Sequence, residues 1–154
     1  MTDNKVLTKL IEFNKERLLD KQEFNLEVAS MNILEELLEA HGVHDDKNRY
    51  MARTLYDEFL AWVDYVKYEK PELYKEVESD DELVDAFCDI QVFAFGEIMK
   101  LGHDPVMALD ETANEILSRR GKIVDGKFTK DKSPEAQSKW YKANYTKSLH
   151  EKGN

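Results

Sequence analysis

Three carboxylates recur at helical spacing in the segment NILEELLEA, residues 32–40. Glu35, Glu36 and Glu39 share one face of a helix, because residues three and four apart lie about one turn from each other. Taken alone, this pattern is typical of the solvated face of an amphipathic helix. The same stripe continues upstream through Asn25 and Asn32 without a lysine or arginine, which favours a helix that is covered on both sides.

A second set of carboxylates lies in an unusually apolar segment, ELVDAFCDIQVFAF, residues 82–95. Asp85 and Asp89 are one turn apart, and Glu82 precedes Asp85 by one turn. The segment is apolar nearly all round, which predicts a helix in the centre of a bundle. An ionised carboxylate buried there needs a compensating partner. A basic side chain or a backbone donor would satisfy Asp89 in a structural site, and a metal ion would do so in a functional one.

Carboxylates that converge from two helices repel one another and shift each other's pKa values. Hard divalent cations relieve that repulsion, and Mg²⁺ held by carboxylates, water and a substrate phosphate is a common form. Neither segment contains histidine, which argues against zinc and against a di-iron Glu-x-x-His site. The expected cofactor is therefore Mg²⁺, with Mn²⁺ as the substitute ion.

The charge of the chain is unevenly distributed. Its 154 residues include 22 Lys and Arg against 32 Asp and Glu, a net charge of −10, but residues 119–154 carry 10 basic and only 4 acidic side chains. The acidic body would repel a phosphodiester backbone, so we expect no nucleic-acid partner. The basic tail suits phosphate groups.

Several classes of protein are disfavoured by composition. The single cysteine excludes an intramolecular disulfide and a cysteine-based zinc site, and it suits a reducing compartment. The amino-terminal segment is too charged for a signal peptide, and no apolar run is long enough to span a membrane. We expect a cytoplasmic protein with no membrane contact.

Hydrophobic periodicity, capping residues and scarce Gly and Pro predict an all-α fold, a bundle of four to five helices with a basic carboxy-terminal extension. We expect residues 1–120 to form the helical bundle and residues 121–154 to pack on the same domain. The predicted helices are Val6–Lys21, Asn25–His41, Tyr50–Tyr68, a fourth from the N-cap Ser79 to Leu101, Pro105–Arg120 and Pro134–Leu149. A loop is predicted at residues 43–49 and a hairpin around Asp125-Gly126.

Hydrophobic periodicity also predicts which faces of the first and third helices are buried. Leu7, Leu10, Ile11 and Leu18 form the apolar face of the first helix. In the third helix, Leu55, Phe59, Trp62 and Val66 recur at helical spacing.

Three stretches of the chain match the motifs of one superfamily. EELLE, Glu35–Glu39, fits the pattern E-E-x-x-E, and DELVDAFCDIQVFAFGEIMKLGHDPVMALDE, Asp81–Glu111, looks like a second metal-binding helix and the helix after it. SRRGKIVDGKFTKD resembles a Lys/Arg and D-G-K tail. In these motifs the chain resembles the all-α nucleoside triphosphate pyrophosphohydrolases, which include MazG, the dimeric dUTPases and phosphoribosyl-ATP pyrophosphohydrolase. The resemblance covers about residues 28–132.

The resemblance implies roles for the carboxylates. Glu36 and Glu39 match the metal ligands of the first motif, and Glu35 matches its leading acid, a ligand or the base that orients water. Asp89 matches the aspartate of the second motif, E-x-x-D, whose glutamate is replaced here by Ala86.

Two alignments of the second motif remain open. In one, Asp85 replaces the missing glutamate and pairs with Asp89, which brings Gly96 and the following loop into register. In the other, Glu82 and Asp85 are themselves the E-x-x-D pair. The metal ligands implied by the resemblance are therefore Glu36, Glu39, Asp85 and Asp89, with Glu82 as the alternative.

The resemblance further implies how substrate would be held and cleaved. The family often has an asparagine and a lysine late in the following helix, where this chain has Asn114 and Arg119 or Arg120. Lys122 and Lys127 could join Arg119 on the phosphates. The implied reaction is the Mg²⁺-dependent hydrolysis of an NTP or dNTP to the monophosphate and pyrophosphate, by a homodimer or homotetramer. The alternatives are a non-catalytic acidic interaction protein that mimics nucleic acid, and an inactive relative that senses nucleotides.

Overall fold

Helices dominate the chain in a computed structural model, which describes residues 4–44 and 48–150. The α-helices are α1 Asn4–Glu16, α2 Leu26–Ala40, α3 Asn48–Glu69, α4 Asp80–Lys100, α5 Pro105–Ser118 and α6 Pro134–Ser138. Short 3-10 turns cover Leu19–Lys21, Pro71–Leu73 and Tyr145–Ser148, and two antiparallel strands, β1 Gly121–Val124 and β2 Lys127–Lys130, form a hairpin. The predicted all-α class is confirmed. None of the helices in these ranges is long and apolar enough to cross a membrane.

Local capping chemistry explains where α2 and α5 begin. The side chain of Asn25 accepts a hydrogen bond from the backbone N–H of Val28. The side chain of Asp104 accepts from the N–H groups of Val106 and Met107, and Pro105 occupies the first helical position, where no donor is needed. Both starts lie within one residue of the predictions. The predicted loop at residues 43–49 falls partly on residues 45–47, which lie outside the described ranges.

The hairpin has the turn that its sequence predicts. Asp125 and Gly126 both have positive φ, 51° and 76°, as a two-residue type I′ turn requires. The strands pair in register, with Ile123 opposite Phe128 and Gly121 opposite Lys130. Phe128 and Lys130 therefore lie on the same face of the hairpin, and Lys122 lies on the other.

Gly121 is required by the close approach of the two strands. A Cβ atom added there would overlap the carbonyl oxygen of Thr129 and lie 2.8 Å from the ring of Phe128. We expect Gly121→Ala to lower the free energy of unfolding by about 1–3 kcal/mol, measured by denaturant titration. Lys122→Ala, one residue along with an exposed side chain, should change it by less than about 0.5 kcal/mol. Equal effects of the two variants would contradict the steric explanation.

The chain divides into two compact units. One comprises the residues up to Gln22 together with those from Asp80 onward, and the other is Glu23–Ser79. In the first unit α1 packs along α5, and Val6, Ala108 and Ala113 are buried. In the second unit α2 packs along α3 around a core of Met31, Ala52 and Tyr56.

The predicted last helix is wrong beyond Ser138. Three of its backbone donors bond to side chains of α5 and not to the carbonyl oxygens of a continuous helix. The N–H of Tyr141 donates to Ser118 Oγ (2.8 Å), that of Ala143 to Glu115 Oε2 (2.8 Å) and that of Asn144 to Glu111 Oε2 (2.9 Å). A continuous helix would use these donors internally, so the segment runs across α5 in an irregular conformation.

The predicted central position of α4 is not found within the single chain. None of its residues is buried, and α4 contacts only α5 among the described elements. The side chains of Val92 and Phe93 are 67% and 71% exposed. The apolar character of this helix was predicted correctly, but its burial was not.

The predicted inner faces of α1 and α3 are likewise exposed for the most part. Leu7 and Ile11 of α1 are exposed, and Val6 is buried in their place. In α3, Phe59 and Trp62 are exposed, while Ala52 and Tyr56 form the core contact with α2. Three helices of one chain thus present large apolar side chains to solvent.

Candidate functional site

The three carboxylates of α2 affect one another. Glu35 is partly buried, and Glu36 and Glu39 are exposed. Although the residue is exposed, partial desolvation of its carboxyl group raises the pKa of Glu36, and the charges of Glu39 and Glu35 raise it further. The structure thus brings these three predicted residues together as a repelling group on one helix.

A basic partner lies beside this group, supplied by α3. The guanidinium of Arg49 is 3.5 Å from Glu35 Oε1 and donates a hydrogen bond of 2.8 Å to Asn32 Oδ1. Arg53 pairs with Glu27 further along the same helices. Glu35, the predicted base, is therefore partly compensated, whereas the side chains of Glu36 and Glu39 have no ion pair among the residues that the structure describes.

The carboxylates of α4 differ from those of α2 in their surroundings. Asp85 and Asp89 are exposed, and Glu82 is partly buried. The expectation that Asp89 is a buried charge is therefore wrong for the single chain, because α4 packs only along α5. Neither Asp85 nor Asp89 forms an ion pair within residues 4–44 and 48–150, so both carboxylates are available as ligands.

The two predicted halves of the metal site belong to different units, Glu35, Glu36 and Glu39 to the second and Glu82, Asp85 and Asp89 to the first. Among the described residues, neither unit by itself contains a group of three or more His, Cys, Asp or Glu side chains placed to hold a metal ion. Each half nevertheless offers only oxygen donors. One or two carboxylates with water and a substrate phosphate are the usual ligands of Mg²⁺, so the donor types fit that ion.

The predicted substrate-binding residues lie on or after α5. Asn114 Oδ1 accepts a hydrogen bond of 2.8 Å from Lys9 Nζ, which also contacts Asp110 at 2.5 Å. Arg119 pairs with Glu115 and lies 5.9 Å from the ring centroid of Trp140. Lys122 and Lys127 are exposed on the hairpin. Asn114 and Arg119 thus have structural partners, and the two lysines are available to a ligand.

Sequence reasoning missed a buried arginine beside this region. Arg17 is 4% exposed, and its guanidinium carbon lies 4.1 Å from the ring centroid of Phe13 and 4.3 Å from that of Phe128. Its Nη2 donates to the carbonyl oxygens of Ile116 and Arg119, each at 3.0 Å. The signal was present, because Val6, Leu10, Phe13 and Arg17 recur at helical spacing and place a charge on an apolar stripe.

A buried glutamate on α5 was also missed. Glu111 is 6% exposed and accepts hydrogen bonds from Lys147 Nζ (2.8 Å), the hydroxyl of Tyr141 and the N–H of Asn144 (2.9 Å). These donors lower the pKa of Glu111 to about 2, with that of Lys147 the strongest, and the same bond raises the pKa of Lys147. No local pattern identifies this residue, because its partners lie about 30 positions later in the chain.

Comparison with known proteins does not extend these observations. No protein-family model matches the chain, and searches of curated proteins and of solved structures found no match. The resemblance in the motifs at Glu35–Glu39 and Asp81–Glu111 therefore has no support from these comparisons.

Proposed function

We propose that this chain hydrolyses a nucleoside triphosphate or deoxynucleoside triphosphate to the monophosphate and pyrophosphate in a Mg²⁺-dependent reaction. The observation that carries the proposal is the repelling group on α2, where burial and two neighbouring carboxylates raise the pKa of Glu36. A carboxylate whose pKa is raised by neighbouring acids is typical of sites that hold a cation or move a proton.

The proposed ligands are Glu36 and Glu39 on α2, and Asp85 and Asp89 on α4, with Glu82 as the alternative on α4. A bound Mg²⁺ would offset charge on the phosphates and lower the pKa of an attacking water. Glu35 would accept a proton from that water or orient it, with the guanidinium of Arg49 3.5 Å from its Oε1. Lys122 and Lys127 would contact the phosphates as mobile, exposed cations.

The exposed apolar surface supports a proposal about assembly. Large apolar side chains of α1, α3 and α4 are left uncovered, and a cavity of about 570 Å³ along α4 is lined by Val92, Phe95 and Met99 among others. The apolar lining along α4 is contiguous, and such patches mark interfaces more often than free surfaces. We propose that the chain forms a homodimer or homotetramer, which sedimentation equilibrium would establish.

A non-catalytic acidic interaction protein remains the second candidate, and the exposure of Asp85 and Asp89 favours it, because a mimic of nucleic acid displays its charges to solvent. Such a protein needs no metal ion. It would instead bind a basic partner with an affinity that falls steeply with salt.

A pyrophosphate-release assay tests the proposed function. The protein is incubated with Mg²⁺ and each common NTP and dNTP, and we expect pyrophosphate and the nucleoside monophosphate in equal amounts from at least one of them. EDTA should abolish release. The absence of release from every nucleotide, with the helical circular dichroism spectrum intact, would count against hydrolysis and favour the interaction protein.

A further inference from the structure

A cavity of about 490 Å³ lies in the first unit between the end of α1 and the hairpin. Phe13 of α1 and Arg17, the residue directly after that helix, line it together with Lys127, Phe128 and Lys130 of the hairpin. Three of these five side chains are cationic, and none is acidic. The cavity lies outside the carboxylate segments of α2 and α4.

The guanidinium of Arg17 is incompletely satisfied within this wall. Its Nη2 is bonded to two carbonyl oxygens, but its Nε and Nη1 are buried without a hydrogen-bond partner among the described residues. The nearest carboxylate is that of Glu16, 3.9 Å from Nη1, and Glu16 is itself shared with Arg120 at 3.6 Å. A buried charge with unpaired donors is costly unless the surroundings supply opposite charge. The rings of Phe13 and Phe128 supply part of that compensation.

Positive charge around the cavity is likewise uncompensated. Burial lowers the pKa of Lys130, and the charges of Arg119, Arg17 and Lys132 lower it further. Within residues 4–44 and 48–150, no carboxylate forms an ion pair with Lys127 or Lys130. Like charges that are crowded beside apolar walls focus a positive potential, and a bound anion would relieve it.

We propose that this cavity binds a phosphoryl anion of small-molecule size, with Lys130 in contact with its oxygens and Arg17 as the fixed charge of the wall. Two cationic side chains beside one concave space suit the two or more negative charges of a phosphate better than the single charge of a carboxylate. The inference does not depend on the proposed hydrolysis. Lys130 lies in the stretch SRRGKIVDGKFTKD, but neither it nor Arg17 has a role in the proposed hydrolysis.

Inorganic phosphate and pyrophosphate, titrated in EDTA against ¹⁵N-labelled protein, test the proposal at constant ionic strength. We expect saturable shifts of the backbone amides of Gly126–Lys130, and Lys130→Gln should weaken binding about tenfold or more. Lys139→Gln removes an equal charge from an exposed ion pair with Glu135 on α6, outside the cavity, and should change the affinity less than about twofold.

Three outcomes would overturn the proposal. It is wrong if neither anion shifts these amides, if acetate shifts them with equal affinity, or if Lys130→Gln and Lys139→Gln weaken binding equally, since the last result would mean general charge screening. Saturable phosphate binding by a protein that releases no pyrophosphate would sustain this site and count against hydrolysis. Pyrophosphate release by a protein that binds no phosphate in this cavity would count against this site and support hydrolysis.

Discussion

Glu36→Gln is expected to lower Mg²⁺-dependent pyrophosphate release by about 100-fold or more. Glutamine keeps the size of the side chain but removes the negative charge that a divalent cation requires. Glu36 is also the carboxylate whose pKa is raised by burial and by Glu39 and Glu35, so the substitution relieves repulsion in the absence of metal. The variant should therefore fold at least as stably as the original chain while losing activity. The measurements are the rate of pyrophosphate release and the thermal midpoint.

Glu27→Gln is the matched control for this experiment. Glu27 lies on the same helix, about half a turn of the helical wheel away from Glu36, and pairs with Arg53 of α3. We expect the activity of Glu27→Gln to remain within about twofold of the original.

Because Glu36 retains its proton at a higher pH than an ordinary glutamate, Mg²⁺ binding should weaken as the pH falls through that raised pKa. Full activity of Glu36→Gln would exclude it as a ligand.

The same assay separates the two ligand sets on α4. Asp85 belongs to both, so Asp85→Asn should be inactive in either case. Loss of activity in Asp89→Asn but not in Glu82→Gln would establish the first alignment of the motif, and the opposite result would establish the second. Glu97→Gln, which removes an exposed ion pair with Lys100 on the same helix, serves as the control.

Glu111→Gln is expected to lower the thermal midpoint of the first unit by several degrees and to release residues 141–147 from α5. Glutamine keeps one neutral acceptor oxygen in place of the two carboxylate oxygens, so the ammonium group of Lys147 and the hydroxyl of Tyr141 lose their anionic partner. Hydrogen exchange at the amide of Asn144, which donates to the same carboxylate, should accelerate. Glu135→Gln, on an exposed pair with Lys139, should leave both measurements nearly unchanged.

The pH dependence of stability provides an independent readout of Glu111. Its folded-state pKa of about 2 lies below the ordinary value of 4.5, so the unfolded chain binds the proton more tightly. The stability that Glu111 contributes is therefore fully present above pH 4.5 and is lost as the pH falls from there toward 2. Glu111→Gln should show a shallower loss of stability across that interval. Identical acid transitions in the two proteins would mean that the network contributes nothing.

Features that depend on neighbouring residues were predictable from the sequence. Asn25 and Asp104 cap helices because a side-chain oxygen reaches an N–H two or three positions later, and Asp125-Gly126 forms its turn because both residues tolerate positive φ. The spacing of Glu35, Glu36 and Glu39 placed them on one face for the same reason. These interactions are local, so the rest of the fold does not decide them.

Features that depend on distant segments were not predictable. Residues 139–149 have helical periodicity, but acceptors on Glu111, Glu115 and Ser118 capture their backbone donors. The apolar pattern of α4 indicates that the helix needs a packing partner. The pattern does not determine whether that partner comes from the same chain or from another copy. Similarly, Arg49 became the partner of Glu35 only because α3 packs along α2.

The last turn of α5 joins two segments that are far apart in sequence. Its carbonyl oxygens at Ile116 and Arg119 hold Arg17, and Ser118 and Glu115 on the same turn hold the backbone of Tyr141 and Ala143. Opening that single turn would release both attachments at once, so the carboxy-terminal segment and the wall of the basic cavity form one cooperative opening unit. A ligand that rigidifies the cavity would therefore slow the detachment of the carboxy-terminal segment. The end of one helix thus couples the local opening of the two regions.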